Sequence, residues 1–523
     1  MSPMYGNSSV LGDSALELLE LLLEKRGIDV IWDRDGKTLL HFAMINEGDC
    51  GPKILKKLLE SGMNPNVVDK HNKTPLHLAS VSLNIENQNI SLMRDLLENG
   101  GDPNALDEDG WTPVHCAAGD WGEYGYEKLK LLFLFEGDVS INGTDGLTPL
   151  HCAILMEENN GSKTRDNTNN DEAKQRIATK KDQINRVQLI LDNGGNPNAQ
   201  NSLGRSPLHL LVIQNGFSDK SDVLQLLLKK GGNPNLLDNK QCAPIHYAAD
   251  SISETAPEMM KILLEYGGNA NLIGGEQGVT PLYLAAKNLG NHGLQLTEIL
   301  LEHGGNSNAQ DNLGRSPVHV VVGINECNVG LDILKLLLKK GGDPNLLDKE
   351  EHYAPLHYAA DGHKEQGPEK IKILLDNGGD PNLNGGEGGI TPLHAACLNS
   401  EIHGLTITRI LLENGGNPNA LDLHKRTPLH LAIQQNKNDQ LRLETIKLLL
   451  EKGANPNAGD IIGMTPVHYV VIDNRSNTLK LLKLLLEHGG NILQKDDFGT
   501  TPHRLTTQIG SKQYCQPENN YEI

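Results

Sequence analysis

The sequence predicts an all-α solenoid, elongated and curved, in which short antiparallel helix pairs stack in register and are joined by β-turn or hairpin fingers. Three observations predict it. A tetrapeptide close to Thr-Pro-Leu-His returns every 36 to 38 residues along most of the 523-residue chain. Glycine and asparagine punctuate each period at fixed offsets. Aromatic residues make up only 4% of the chain against 55 glycines, so the core has to be filled by small aliphatic side chains, which suits stacked short helices.

The motif begins without proline at Thr38-Leu39-Leu40-His41 and continues as Thr74-Pro75-Leu76-His77, Thr112-Pro113-Val114-His115 and Thr148-Pro149-Leu150-His151. These starts lie 36, 38 and 36 residues apart. One step of 58 residues follows, and then eight steps of 37, 37, 36, 38, 37, 36, 38 and 36 run from Ser206 to a decayed copy at Thr501. The Thr or Ser can cap a helix, and proline fits the first helical position because its missing N–H would have no partner there anyway. Small residues such as Ala248-Ala249 and Ala359-Ala360 in the first helix allow close helix approach. A polar linker leads to a second helix with an aliphatic run, as in residues 223–230 or 446–452. Each helix is only two or three turns long and marginal alone, so stacking has to stabilise it.

Glycine ends the second helix, doubled at Gly194-Gly195, Gly231-Gly232, Gly341-Gly342 and Gly415-Gly416, where the first of the pair is expected to take the left-handed cap conformation. Asn-Pro-Asn then forces an extended turn away from the helix. Two residues before each start, nine of 13 units carry glycine. The exceptions are Asn72, Gln241, His352 and Lys425; asparagine tolerates the left-handed region, and the other three predict a different turn geometry. A longer period overlies the short one: Ala243 to Ala354, Thr280 to Thr391, Ser316 to Thr427 and Ala354 to Thr465 are each 111 residues, which duplication of a three-repeat block explains.

In these residues the unit resembles the ankyrin repeat, over about residues 14–511. The resemblance implies a turn plus two antiparallel helices per unit. The family's usual unit is 33 residues, so the excess here is expected between the two helices. The expected organisation is a disordered segment over 1–13, and a solenoid over 14–511 with an N-terminal capping helix, about 12 repeats and a partial C-terminal unit. The long step holds an inserted inter-helix loop over 157–183, with helix from about Asp171, and residues 512–523 form a flexible tail.

The resemblance further implies a non-enzymatic scaffold or adaptor whose protein partner lies against fingers and inner helices. The alternatives are a substrate-recognition part of an intracellular effector or enzyme complex, and a structural tether. The implied contact residues are Asp107, Glu108, Asp109, Trp111, Ser202, Arg205, Asn239, Lys240, Glu276, Gln277, Asn312, Arg315, Lys349, Glu350, Glu387, His424, Lys425 and Arg426. Trp111 either anchors a partner or packs against the next finger. Asn198, Asn235, Asn345, Asn382, Asn419 and Asn457 occupy the turn positions at which ankyrin-like proteins resemble targets of asparaginyl hydroxylation.

Charge and chemistry narrow the classes. A formal charge of -20, with no dense Lys/Arg stripe, repels a phosphate backbone and suits one or more protein partners with a basic surface rather than nucleic acid. Seven scattered cysteines have neither zinc nor disulfide spacing, and no stretch approaches 18 apolar residues. The expectation is a monomer of the cytoplasm or nucleus that inserts in no membrane and carries no cofactor or metal. Eleven histidines stand at the fourth motif position, one per repeat. Successive copies are about 10 Å apart, too far to share a metal ion, so they are expected to link turns and neighbouring repeats by hydrogen bonds. Cys116 and Cys152 are expected to be buried small hydrophobes.

Overall fold

The computed structural model describes residues 33–45, 50–81, 88–120, 124–155, 170–214, 220–290, 292–323, 328–361, 365–399, 401–434, 438–473 and 477–509. The segment expected to be disordered, the capping helix and the tail lie outside these residues. The chain divides into two compact units, Met1–Asn269 and Ala270–Ile523. Both repeat one plan. A first helix of six to eight residues, such as Pro75–Ser80 or Pro355–Asp361, is followed by a longer second helix, such as Gln88–Glu98 or Gly367–Asp376. In the Thr148 repeat the second helix is drawn out to Asn170–Asp192, so it begins inside the expected insertion; residues 157–169 lie outside the described ones.

The third motif position supplies the core: Leu76, Val114, Leu150, Leu208, Ile245, Leu282, Val318, Leu356, Leu393, Leu429 and Val467 are all buried. Each first helix meets the second helix of its own repeat, and first helices stack on the next first helix within a unit. Burying one such side chain stabilises by roughly 1.5–3 kcal/mol, far more than a two-turn helix gains from its own backbone, so the stack holds the helices and not the reverse.

The hairpin fingers do not form. Among the described residues there is no β-strand; isolated antiparallel bridges such as Gly274 with Val279 and Gly385 with Ile390 occur instead. The reason is a carboxylate that takes the donors a strand would need. Asp69 Oδ1 accepts the backbone N–H of both His71 and Lys73 at 2.9 Å. Asp107, Asp238, Asp311, Asp422, Asp460 and Asp496 do the same in their own turns. What remains between neighbouring turns is a single backbone bond, such as Lys349 N–H to Leu313 carbonyl at 2.8 Å. The "fingers" are therefore short side-chain-closed loops set side by side.

A second difference concerns the four turns without glycine. Gln241, His352 and Lys425 take the same left-handed conformation as the glycines, with φ of 59°, 54° and 55°, as does Asn72 at 56°. The closing aspartate overrides the residue's own preference: Gln241 N–H bonds Asp238 carbonyl at 2.9 Å, and Asp238 Oδ1 holds the N–H groups on either side. Strain of order 1 kcal/mol is stored at a non-glycine residue there. Gln241→Gly should accordingly leave stability unchanged or raise it by up to about 0.5 kcal/mol in chemical denaturation, net of glycine's extra unfolded-state entropy. A destabilised variant would show that Gln241 is not strained.

Candidate functional site

The turn tips are ordered by the single backbone bonds that join them. In the first unit, Lys70 donates to Asp35, Glu108 to His71, Thr144 to Asp109, Ser202 to Asp145 and Asn239 to Leu203. In the second, Asn312 donates to Gln277, Lys349 to Leu313, Gly386 to His352, Leu423 to Gly388, Ile461 to His424 and Asp497 to Ile462. Tip approach is close enough that a Cβ on Gly204, at φ +72°, would meet Asn239 N at 2.7 Å. Each unit thus presents a row whose backbones are tied and whose tip side chains face solvent.

Most contact residues expected from the sequence fall on these rows. Glu108, Asp109, Ser202, Asn239 and Lys240 are exposed in the first unit; Glu276, Gln277, Asn312, Lys349, Glu350, Glu387, His424 and Lys425 are exposed in the second. Asp107 is buried, because it is the aspartate that closes its own turn. Trp111 is half-buried: its ring lies against Gly143 of the next turn, where a Cβ would come within 2.6 Å of Cδ1, and 6.1 Å from the His115 ring. Arg205, Arg315 and Arg426 are half-buried too, facing Asp238 at 3.6 Å, Asp311 at 3.3 Å and Asp422 at 2.8 Å.

The tyrosines beside these arginines escape a reading of turns alone. Tyr247, Tyr358 and Tyr469 follow the motif histidine and donate their hydroxyls to Asp238, Asp348 and Asp460. Burial first, then that bond to a carboxylate, pushes Tyr247 up to about 12 and raises Tyr358 and Tyr469 as well. Their signal in the sequence is the 111-residue spacing. Exposed Leu423, Ile461, Ile462 and Phe498 on the last tips also lie outside the expected set.

Behind the tips stands the histidine ladder. His77 Nδ1 accepts the N–H of the cap residue Thr74 at 3.0 Å, so the ring proton sits on Nε2, which donates to the Trp111 carbonyl of the next repeat at 3.0 Å. The Thr38, Thr112, Thr148, Ser206, Ser316, Ala354, Thr391, Thr427 and Thr465 repeats make the same pair of bonds. Tyr283 stands in for one histidine and reaches Asp311 at 2.9 Å. These rings are committed to linking repeats. Burial pushes the Cys116, Cys152 and Cys397 thiols up to about 12, which leaves them neutral and unreactive as nucleophiles. Among the described residues no group of three or more His, Cys, Asp or Glu could hold a metal ion, and no helix is long and apolar enough to cross a membrane.

The asparagines after each second helix act as clamps. Asn345 Nδ2 donates to the Gly378 carbonyl at 2.9 Å, and its Oδ1 accepts the Asp380 N–H at 2.7 Å. Asn198, Asn235, Asn382, Asn419 and Asn457 grip the following repeat in the same way.

Comparison with known proteins agrees with this geometry. The family model described as ankyrin repeats (3 copies) matches residues 9–87, 81–163, 176–273, 222–311, 252–348, 282–384, 324–422 and 356–460, and one described as ankyrin repeats (many copies) matches 442–486. No curated protein matches the chain. Ankyrin repeats are a non-catalytic scaffold for protein–protein interaction. With the matched segments covering most of its length, the chain belongs to the ankyrin repeat family.

Proposed function

We propose that this protein is a non-enzymatic adaptor that holds a protein partner with a basic surface against the rows of turn tips and the first helices behind them. The observation that carries the reading is the combination of tied backbones and solvent-exposed tip side chains: a rigid row loses little conformational entropy when a partner settles on it. Exposed Glu108 and Asp109 in one unit, and Glu276, Glu350 and Glu387 in the other, add to the chain's charge of -20 and favour a cationic partner.

Affinity purification from native cells followed by crosslinking mass spectrometry tests it. Crosslinks to the partner should concentrate on the row lysines Lys240, Lys349 and Lys425 and spare Lys335 and Lys447 on the second helices. Charge reversal of Glu108 and Asp109 to lysine, or of Glu276 and Glu387, should weaken binding about tenfold at low salt, with less effect at high salt. Crosslinks confined to the second helices, or affinity indifferent to both reversals, would reject the reading.

A further inference from the structure

We propose that the last three described turn tips are the docking site for an amphipathic protein segment that is apolar along one face and basic at one end. The proposal rests on the tip row being a binding surface and names what its C-terminal part takes. At the two tip positions the other repeats carry mostly polar side chains: Lys70 and His71, Glu108 and Asp109, Asn239 and Lys240, Glu276 and Gln277, Lys349 and Glu350; exposed Leu203 and Leu313 each stand beside a polar tip residue, Ser202 and Asn312, and on tips that are not neighbours. The last three tips carry Leu423, then Ile461 and Ile462, then Phe498. Their exposures are 66% for Leu423, 54% for Ile461 and 78% for Phe498. Leu421, next to the aspartate that closes the Leu423 turn, is also exposed. The bonds from Ile461 N–H to His424 carbonyl at 2.8 Å and from Asp497 N–H to Ile462 carbonyl at 3.1 Å make these three tips immediate neighbours.

Isolated exposed apolar side chains are ordinary, but a run over three adjacent, rigidly joined tips is the kind of contiguous surface that marks an interaction site. Its neighbours give the occupant a polarity. Leu423 is bonded to Gly388 and Gly386 to His352, so the next two tips along the row carry Glu387 and then Lys349, Glu350 and Glu351, all exposed, and three carboxylates against one ammonium leave them net acidic. Lys425 and Asp497 add one charge of each sign within the apolar stretch and cancel. With tips about 10 Å apart, the apolar stretch is about 20 Å long and the acidic tips extend it to about 40 Å. About 14 residues of helix cover the apolar part, and Lys or Arg side chains beyond one end then meet the three carboxylates. An anionic membrane is repelled by those carboxylates and by the chain's net charge. A second copy of the chain would bring another charge of -20 and leave the acidic tips without a counterpart.

A random 28-residue peptide display library, about 40 Å long as helix, is selected on the full chain and provides the probe; one enriched peptide is then synthesised with a fluorophore and titrated by anisotropy. Enriched peptides should carry apolar residues at helical spacing and Lys or Arg at one end. The triple variant Leu423→Ser, Ile461→Ser, Phe498→Ser should bind that peptide at least about tenfold more weakly, with an unchanged melting curve because the three side chains are exposed. The pair Glu350→Lys and Glu387→Lys should weaken it about fivefold and flatten its salt dependence. Enriched peptides without a basic end, or equal affinity for the triple variant, overturn the proposal. So does light scattering that shows the wild-type chain to be a dimer and the triple variant a monomer, which makes a second copy the occupant. If the native partner still crosslinks to Lys240 and Lys349 in the triple variant, the adaptor reading stands while this one falls. If it crosslinks nowhere along the rows, both fall.

Discussion

Lowering the pH from 7.5 to 5 is expected to unfold this protein well before its carboxylates titrate. Burial, opposed by the bond to the next repeat's carbonyl, lowers the pKa of His41, His77, His115, His209, His319, His357 and His394, and brings His151 and His430 down to about 4. In the unfolded chain each returns to about 6.5. Below pH 6.5 the unfolded state therefore binds protons that the folded state refuses, and stability falls as pH falls; above 6.5 it is fully present. For His151 or His430 the loss at pH 5 is about 2 kcal/mol each. Several such terms within one unit consume a typical domain's margin of about 5–15 kcal/mol. The mechanism is local: a second proton has to enter at Nδ1, where it displaces the N–H of the helix cap and so loosens both the helix start and its neighbour. Acidification also reduces the chain's negative self-repulsion, which acts in the opposite direction. A melting temperature that is level above pH 7 and drops steeply between pH 6.5 and 5 shows the histidine effect winning. A curve level down to pH 4.5 would refute it.

That ladder was legible in the sequence because one histidine per repeat, at a fixed place after a cap, leaves a single spatial arrangement open to it. The helices were legible for the same reason: proline at the start and glycine at the end bound them chemically. The turns were not. A run such as Leu237-Asp238-Asn239-Lys240-Gln241 reads equally as a hairpin or as a closed loop, and the decision lies with a carboxylate that bonds its own backbone two and four residues on. For the same reason Asp107 and Glu108 look alike in sequence although one is buried and the other exposed. The contact surface was legible as a set of positions, since tips follow from the repeat, but its composition needed the register: Leu423, Ile461 and Phe498 look like core residues until their turns are placed.

Removing the ammonium of Lys128 is expected to be among the most damaging single changes in the first unit. Its Nζ is 2.7 Å from Asp120 Oδ2 with side chains only 1% and 3% exposed, and 3.3 Å from the carbonyl of Ser80, the last residue of the helix Pro75–Ser80. Arg186 donates to the carbonyl of Asp120 and reaches Asp182 at 2.6 Å. Lys370 Nζ reaches the Val322 carbonyl at 2.9 Å, and Arg442 the Ile433 carbonyl at 3.3 Å with Asp473 at 2.6 Å, so buried cations repeatedly meet the carbonyl ends of first helices. A positive charge there complements the helix dipole and satisfies carbonyls that a short helix leaves open. The sequence carries the signal: Lys128 lies on the buried stripe of Gly125, Leu129 and Leu132, whereas Lys130 lies off it and is exposed. Burial lowers the Lys128 pKa and Asp120 opposes it, so the charge persists only while its partner does. Lys128→Ala removes the ammonium from a buried charge pair and should cost about 3–5 kcal/mol. Asp120→Asn should cost a similar amount, and Lys128→Ala combined with Asp120→Asn clearly less than the two single losses together, because the interaction is then lost only once. Denaturant melts of the four proteins measure the coupling. Single losses below about 1 kcal/mol, or strictly additive ones, would mean that the pair is solvated and holds nothing in place.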